Sequence, residues 1–216
     1  MVRVKICCIS SKEEAKFAIK YGASAVGLVS EMPSGPGIIS EELISKIASI
    51  IPPGVASFLL TSKQDTTDII KQQKTTGANT IQICDRLTNG SYDDLRNALP
   101  GISLVQVIHV QNRESLQEAV SVAPNVDAIL LDSGNQSLTV KELGGTKKVH
   151  DWNLSSKIRK SVNVPVFLAG GLNPENVFEA IQIVKPFGVD VCSGVRTNGK
   201  LDLTKLKNFF DEVNKT

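Results

Sequence analysis

Cys7 and Cys8 stand side by side in "VRVKICCISS", and Asp132 closes a fully apolar run, "AILLD". A thiol becomes a nucleophile or a base when nearby cations lower its pKa, whereas a buried thiol away from them is inert packing. A carboxyl group at the rim of an apolar surface has its pKa raised, which suits a general acid; in the same place an aspartate equally serves as a turn or helix cap. Two glycine turns, "LAGGLNPEN" and "DVCSGVRTNG", add backbone N–H groups that a ligand can approach closely. Gly170, Gly171, Ser193 and Gly194 are therefore candidates to bind a phosphate through amides and the serine hydroxyl. The bland alternative is that these glycines only make tight turns.

The positioning elements are short β-rich runs that alternate with helical patterns. Eight pairs are counted, with strands "RVKICC", "AVGLVS", "VASFLLT", "TIQICD", "LVQVIHV", "AILLDS", "VPVFLAG" and "VDVCSG". Helices are expected from about Ser11, Ser40, Thr66, Tyr92, Arg113, Asn153, Pro174 and Leu203. "SKEE" at Ser11 reads as a capping box, "SEEL" at Ser40 puts acids in the first turn, and "NPEN" offers Asn173 as cap with Pro174 at the first helical position. Strict alternation implies parallel strands, and eight units close a barrel, so the fold expected is α/β, a single-domain (β/α)8 TIM barrel over residues 1–216. An open doubly wound sheet is the alternative, but the first turn has no G-x-G-x-x-G.

Chemistry in such a barrel gathers at the C-terminal ends of the strands, and the loops after strands seven and eight are its habitual phosphate site. Both glycine turns fall there. Alternation along the first strand puts Lys5 and Cys7 on one face and Val4, Ile6 and Cys8 on the other. The second face is apolar and should meet the helices, so Cys8 is expected to pack while Cys7 and Lys5 look into the barrel. Cys84, Cys192 and His109 also end strands, and packing is the reading for them. The long polar segment "SGNQSLTVKELGGTKKVHDW", with Lys147, Lys148 and His150, is either a functional lid or a solvated loop.

Four cysteines without a C-x-x-C pair, and two histidines, fit a reducing compartment and argue against both a disulfide framework and zinc. No metal is expected. The formal net charge of +2, from 24 basic and 22 acidic residues, supplies no field for nucleic acid or an acidic membrane. No run has the length of a membrane span, and the N-terminus leads straight into a strand pattern, so a cytoplasmic location is expected.

The chain resembles the phosphoribosylanthranilate isomerases of tryptophan biosynthesis. Family motifs K-I-C-G-I-T, L-L-D, G-G-[ST]-G-x-x-F-D-W, G-G-L-N-P-E-N-V and V-D-V-S-S-G-V-E are matched in order by "KICCIS", "LLD", "GGTKKVHDW", "GGLNPENV" and "VDVCSGVR". The resemblance implies an Amadori rearrangement of an aminoaldose phosphate to an aminoketose phosphate with no cofactor. Cys7 falls on the family's general base and Asp132 on its general acid. Cys8 replaces the motif glycine and inherits no role. The implied partner is a small phosphosugar bound by a monomer or homodimer, with Lys5, Gln82 and Arg196 as possible substrate contacts.

Four departures matter. The family's S-P-[RK]-x-[IV]-S, whose arginine binds the anthranilate carboxylate, becomes "SGPGIIS" with Gly37 at the basic position. Losing that contact forfeits about 1.5 to 3 kcal/mol. The motif Q-L-H-G becomes "QICD", where Asp85 would repel a substrate carboxylate if it faced the site. Arg196 replaces a glutamate, either as a substitute cation or as a solvated rim residue. The segment after Asp132 is longer than the resemblance implies. Alternative readings are therefore a paralogue isomerising a different phosphosugar, a Schiff-base lyase or aldolase using Lys5 or a loop lysine, and a non-catalytic phosphate-ligand module.

Overall fold

The computed structural model describes residues 1–134, 140–141, 143 and 150–216. Eight parallel strands close on themselves: β1 (Arg3–Ile6), β2 (Ala25–Val29), β3 (Ala56–Thr61), β4 (Thr80–Ile83), β5 (Ser103–His109), β6 (Ala128–Asp132), β7 (Val166–Leu168) and β8 (Gly188–Val191). β1 pairs with β8 in the register Lys5 to Asp190, which shuts the barrel and excludes the open sheet. Helices follow the strands in turn: α1 (Lys12–Lys20), α2 (Glu41–Ala48), α3 (Thr66–Thr76), α4 (Tyr92–Ala98), α5 (Glu114–Val122), α6 (Trp152–Ser161), α7 (Val177–Val184) and α8 (Leu203–Val213). A two-stranded hairpin, β9 (Arg196–Thr197) with β10 (Lys200–Leu201), sits between β8 and α8.

Strand alternation sorts the apolar residues into two cores. Val4, Ile6, Val26, Leu28, Leu59 and Ile81 point outward and pack under the helices. Ala25, Phe58, Leu60, Val105, Leu130 and Phe167 point inward and fill the barrel, with Phe58 and Phe167 edge to face at 6.0 Å. The filled interior leaves the C-terminal ends of the strands as the place for a site.

The helix caps explain where the chain turns. Ser11 Oγ accepts the Glu14 N–H at 3.1 Å, yet the return half of the expected capping box is missing. The Glu14 carboxylate instead accepts from the Ser10 N–H and pairs with Arg196. Ser40 caps α2 by accepting from the Leu43 N–H, and Glu41 and Glu42 lie in its first turn, as read from "SEEL". The start of α7 is a correction: it lies at Val177, not Pro174. Asn173 Oδ1 accepts from the Glu175 N–H and Asn176 Oδ1 from the Asn173 N–H, so a separate turn precedes the helix.

Candidate active site

A cavity of about 690 Å³, open mouth included, lies at the C-terminal ends of the strands. Cys7 and Cys8 after β1, Asp132 at the end of β6, Gly170 and Gly171 after β7, and Cys192 and Ser193 after β8 all line it. So do Gln82, Cys84 and Asp190, with Val29, Met32, Leu60 and Leu143 supplying apolar wall. The structure thus gathers candidates from five strands. Lys5, Gly194 and Arg196 do not line it.

Lys5 lies under the floor, fully buried, with its ammonium 2.8 Å from Asp190 Oδ2. Burial alone would lower its pKa; the Asp190 carboxylate, with Cys7 and Cys8, outweighs that and holds Lys5 above the ordinary lysine value. A charged lysine is no Schiff-base nucleophile, so the lyase reading loses Lys5. Asp190 was not singled out in the sequence. Its signal was the inward parity it shares with Lys5 across the closing strand pair.

Cys7 faces the cavity as expected, and Gly27 beside it leaves the necessary room. A Cβ there would stand 2.8 Å from Cys7 Sγ and 3.1 Å from Lys5 Nζ. The reading of Cys8 needs correction. β1 ends at Ile6, and Cys8 takes a left-handed φ of 60°, which breaks the alternation and turns its side chain toward the cavity instead of the helix layer. That conformation favours glycine, the residue of the family motif at this position. The Cys8 thiol lies 3.6 Å from the Pro36 carbonyl oxygen and within reach of Cys7 and Cys192. A hydrogen bond from Cys8, set against burial and helped by the Lys5 charge, holds the Cys7 thiol below its ordinary value. Cys8 is correspondingly pushed up by its contacts with Cys192 and Cys7.

Asp132 is 9% exposed, and Ser133 N–H donates to its Oδ1 at 2.7 Å. Burial raises its carboxyl above the ordinary value; the Ser133 N–H and His109 only partly oppose this. His109 itself is buried with Nε2 3.0 Å from the Cys84 carbonyl, a packing role. Burial also pushes the Cys84 thiol up to about 12.

At the other end, Gly170 and Gly171 take φ of 81° and 66°. Gly194 stands where a Cβ would be 2.0 Å from the Leu172 carbonyl oxygen, so it presses the turn after β8 against the turn after β7. His150 packs behind Gly170, 2.8 Å from Ser155 Oγ, and burial lowers its pKa to about 4.

Two departures prove to be internal partners. Arg196 is 9% exposed, so the reading as a solvated rim residue is corrected; nor is it a spare cation. Its guanidinium forms a bidentate pair with Glu14 at 3.0 and 2.9 Å and donates to the carbonyls of Cys7 and Cys8. Asp85 does not face the cavity and pairs with Lys141 at 2.5 Å. Ser34 Oγ donates to the Lys141 carbonyl at 2.6 Å, so Lys141 is tied to the loops after β2 and β4. Within "GGTKKVHDW", residues 144–149, including Lys147 and Lys148, lie outside the described residues. Among the described residues no group of three or more histidine, cysteine or acidic side chains is arranged to hold a metal ion.

A family model described as N-(5'phosphoribosyl)anthranilate (PRA) isomerase matches residues 4–212. The chain belongs to the N-(5'-phosphoribosyl)anthranilate isomerase family. It is 37% identical to N-(5'-phosphoribosyl)anthranilate isomerase 2 of Methanosarcina mazei, over 96% of this chain and 92% of that protein. The crystal structure of phosphoribosyl anthranilate isomerase from Thermotoga maritima superposes with a TM-score of 0.83 at 31% identity, covering 100% of both chains. A phosphoribosyl anthranilate isomerase crystallised with reduced 1-(o-carboxyphenylamino)-1-deoxyribulose 5-phosphate superposes at 0.80 and 30% identity, again over 100% of both. The chain is an isomerase of this family, built as a TIM barrel. Among the described residues no helix is long and apolar enough to cross a membrane.

Proposed function

We propose that Cys7 and Asp132 are the base and acid of an Amadori rearrangement that converts N-(5-phosphoribosyl)anthranilate to the corresponding 1-deoxyribulose 5-phosphate. Asp132 in its protonated form gives its proton to the furanose ring oxygen; the C1′–O bond breaks and the nitrogen lone pair completes an iminium. The Cys7 thiolate removes the C2′ proton, and the C–H electron pair moves through C1′ to the nitrogen, leaving an enolamine. Protonation at C1′ and loss of the enol proton give the ketone. C1′ is reduced as C2′ is oxidised, so the electrons balance within the substrate and no cofactor is required. The observation that carries this reading is that one cavity holds a thiol pushed toward its ionised form and a carboxyl pushed toward its neutral form.

Gly170, Gly171 and Ser193 hold the phosphate through amides and the hydroxyl, with Gly194 setting the approach of the two turns. Gln82 reaches the substrate from β4, whereas Lys5 and Arg196 act from beneath it by fixing Asp190 and the Cys7–Cys8 backbone. The protein works as one barrel domain over residues 1–216, a cytoplasmic monomer or homodimer. Loss of anthranilate fluorescence on adding purified protein to freshly generated phosphoribosylanthranilate tests this function. Absence of turnover overturns it.

A further inference from the structure

The two replaced motif positions, 8 and 37, touch. Gly37 takes a φ of 83°, and a Cβ built on it would lie 2.5 Å from Cys8 Cβ, 3.0 Å from Cys8 Cα and 3.1 Å from Cys8 Sγ. Real Cβ atoms do not approach so closely, and two of these three neighbours, Cα and Cβ, cannot swing away because the backbone fixes them. The Cys8 thiol also points at the carbonyl of Pro36, the residue before Gly37. The left-handed backbone at Cys8 is what brings its side chain to this contact. Around it the wall is Val29, Met32 and Leu143, and among the described residues no lysine, arginine or histidine lines the cavity. The nearby cations are already committed: Lys5 to Asp190, Arg196 to Glu14 and Lys141 to Asp85.

We propose that Cys8 determines the aglycone specificity of this isomerase: its side chain and any side chain at position 37 exclude each other, which keeps the aryl end of the cavity neutral. The protein therefore takes N-aryl aminoaldose phosphates as a class and gains little from a carboxylate on the ring. A neutral wall of thiol, thioether and aliphatic groups recognises an aryl ring by its apolar faces, and a carboxylate brought there finds no cationic partner among the described residues to offset its desolvation. This rests on the isomerase reading above and deepens it.

The test is a double-mutant cycle of Cys8→Gly and Gly37→Arg, read in two ways. The first is thermal stability. Gly37→Arg alone lowers Tm sharply, and Cys8→Gly in the same chain recovers most of that loss. The backbone strain of arginine at a positive φ is common to both backgrounds and cancels in the cycle. Equal Tm losses in the two backgrounds overturn the exclusion. The second is kcat/KM for N-(5-phosphoribosyl)anthranilate against N-(5-phosphoribosyl)aniline. Wild type is expected to distinguish them by less than about threefold, and the double variant to prefer the carboxylated substrate by about tenfold or more, the size of one charge-assisted contact. A wild type that prefers the anthranilate compound by tenfold overturns the neutral aglycone end. If wild type turns over neither compound, the isomerase reading fails and the specificity proposal with it, while the Tm cycle still decides the exclusion.

Discussion

Lys5 and Asp190 face each other across the seam where β1 meets β8, 2.8 Å apart and buried beneath Cys7. The pair closes the barrel and places a positive charge under the thiol. Because Lys5 is held in its charged form, borohydride added with a ketose phosphate should leave it unmodified. Peptide mapping checks this; a reduced adduct on Lys5 would restore the Schiff-base alternative.

Gly27 supplies the space in which Cys7 Sγ and Lys5 Nζ sit. Gly27→Ala should displace both, costing about 1 to 3 kcal/mol in stability by overpacking. It should also lower kcat at least about tenfold, because the base is misplaced. Denaturant titration and steady-state kinetics read the two effects separately. Unchanged kcat would mean that the position of Cys7 Sγ is not critical.

Arg196 ties Glu14 to the backbone of Cys7 and Cys8, so Arg196→Met should cost about 1 to 3 kcal/mol by removing the cation from the half-buried Glu14 carboxylate and the donor from two carbonyls. Burial works against the Glu14 charge, but Arg196 and the backbone N–H groups of Leu201 and Ser10 outweigh it, so its pKa lies below the ordinary 4.5. A depressed carboxyl pKa stabilises the fold above the unfolded value and loses that contribution as pH falls through the folded value. The stability gap between wild type and Arg196→Met should therefore narrow as pH drops below about 4.5. A gap independent of pH would remove Glu14 from the account.

The pH profile of kcat/KM should be bell-shaped, since activity needs Cys7 ionised and Asp132 protonated. Cys7 is shifted down from 9.0 and Asp132 up from 3.8, so the acid limb should lie below 9.0 and the alkaline limb above 3.8. Removing the acid's titration in Asp132→Asn should leave a weak activity that rises with pH to a plateau. A retained alkaline fall would assign that limb to another group.

Much of this was legible in the sequence for simple reasons. Eight strand and helix pairs gave the closed barrel, and strand parity gave the inward course of Lys5 and Cys7. Parity failed at Cys8 because the strand stops two residues earlier and the backbone turns left-handed. The family motif's glycine at that position was the available hint. Pro174 misled for a related reason: Asn173 caps a turn, and α7 begins only after it. Asp85 and Arg196 could not be placed from sequence, since their partners Lys141 and Glu14 are 56 and 182 residues away.

The direct test of the central claim is kcat for phosphoribosylanthranilate in wild type, Cys7→Ala and Asp132→Asn, with Tm measured beside each. The account predicts turnover by wild type and a fall of about 100-fold or more in both variants, with the fold retained. Wild-type turnover in either folded variant would contradict the assignment of Cys7 as base or Asp132 as acid.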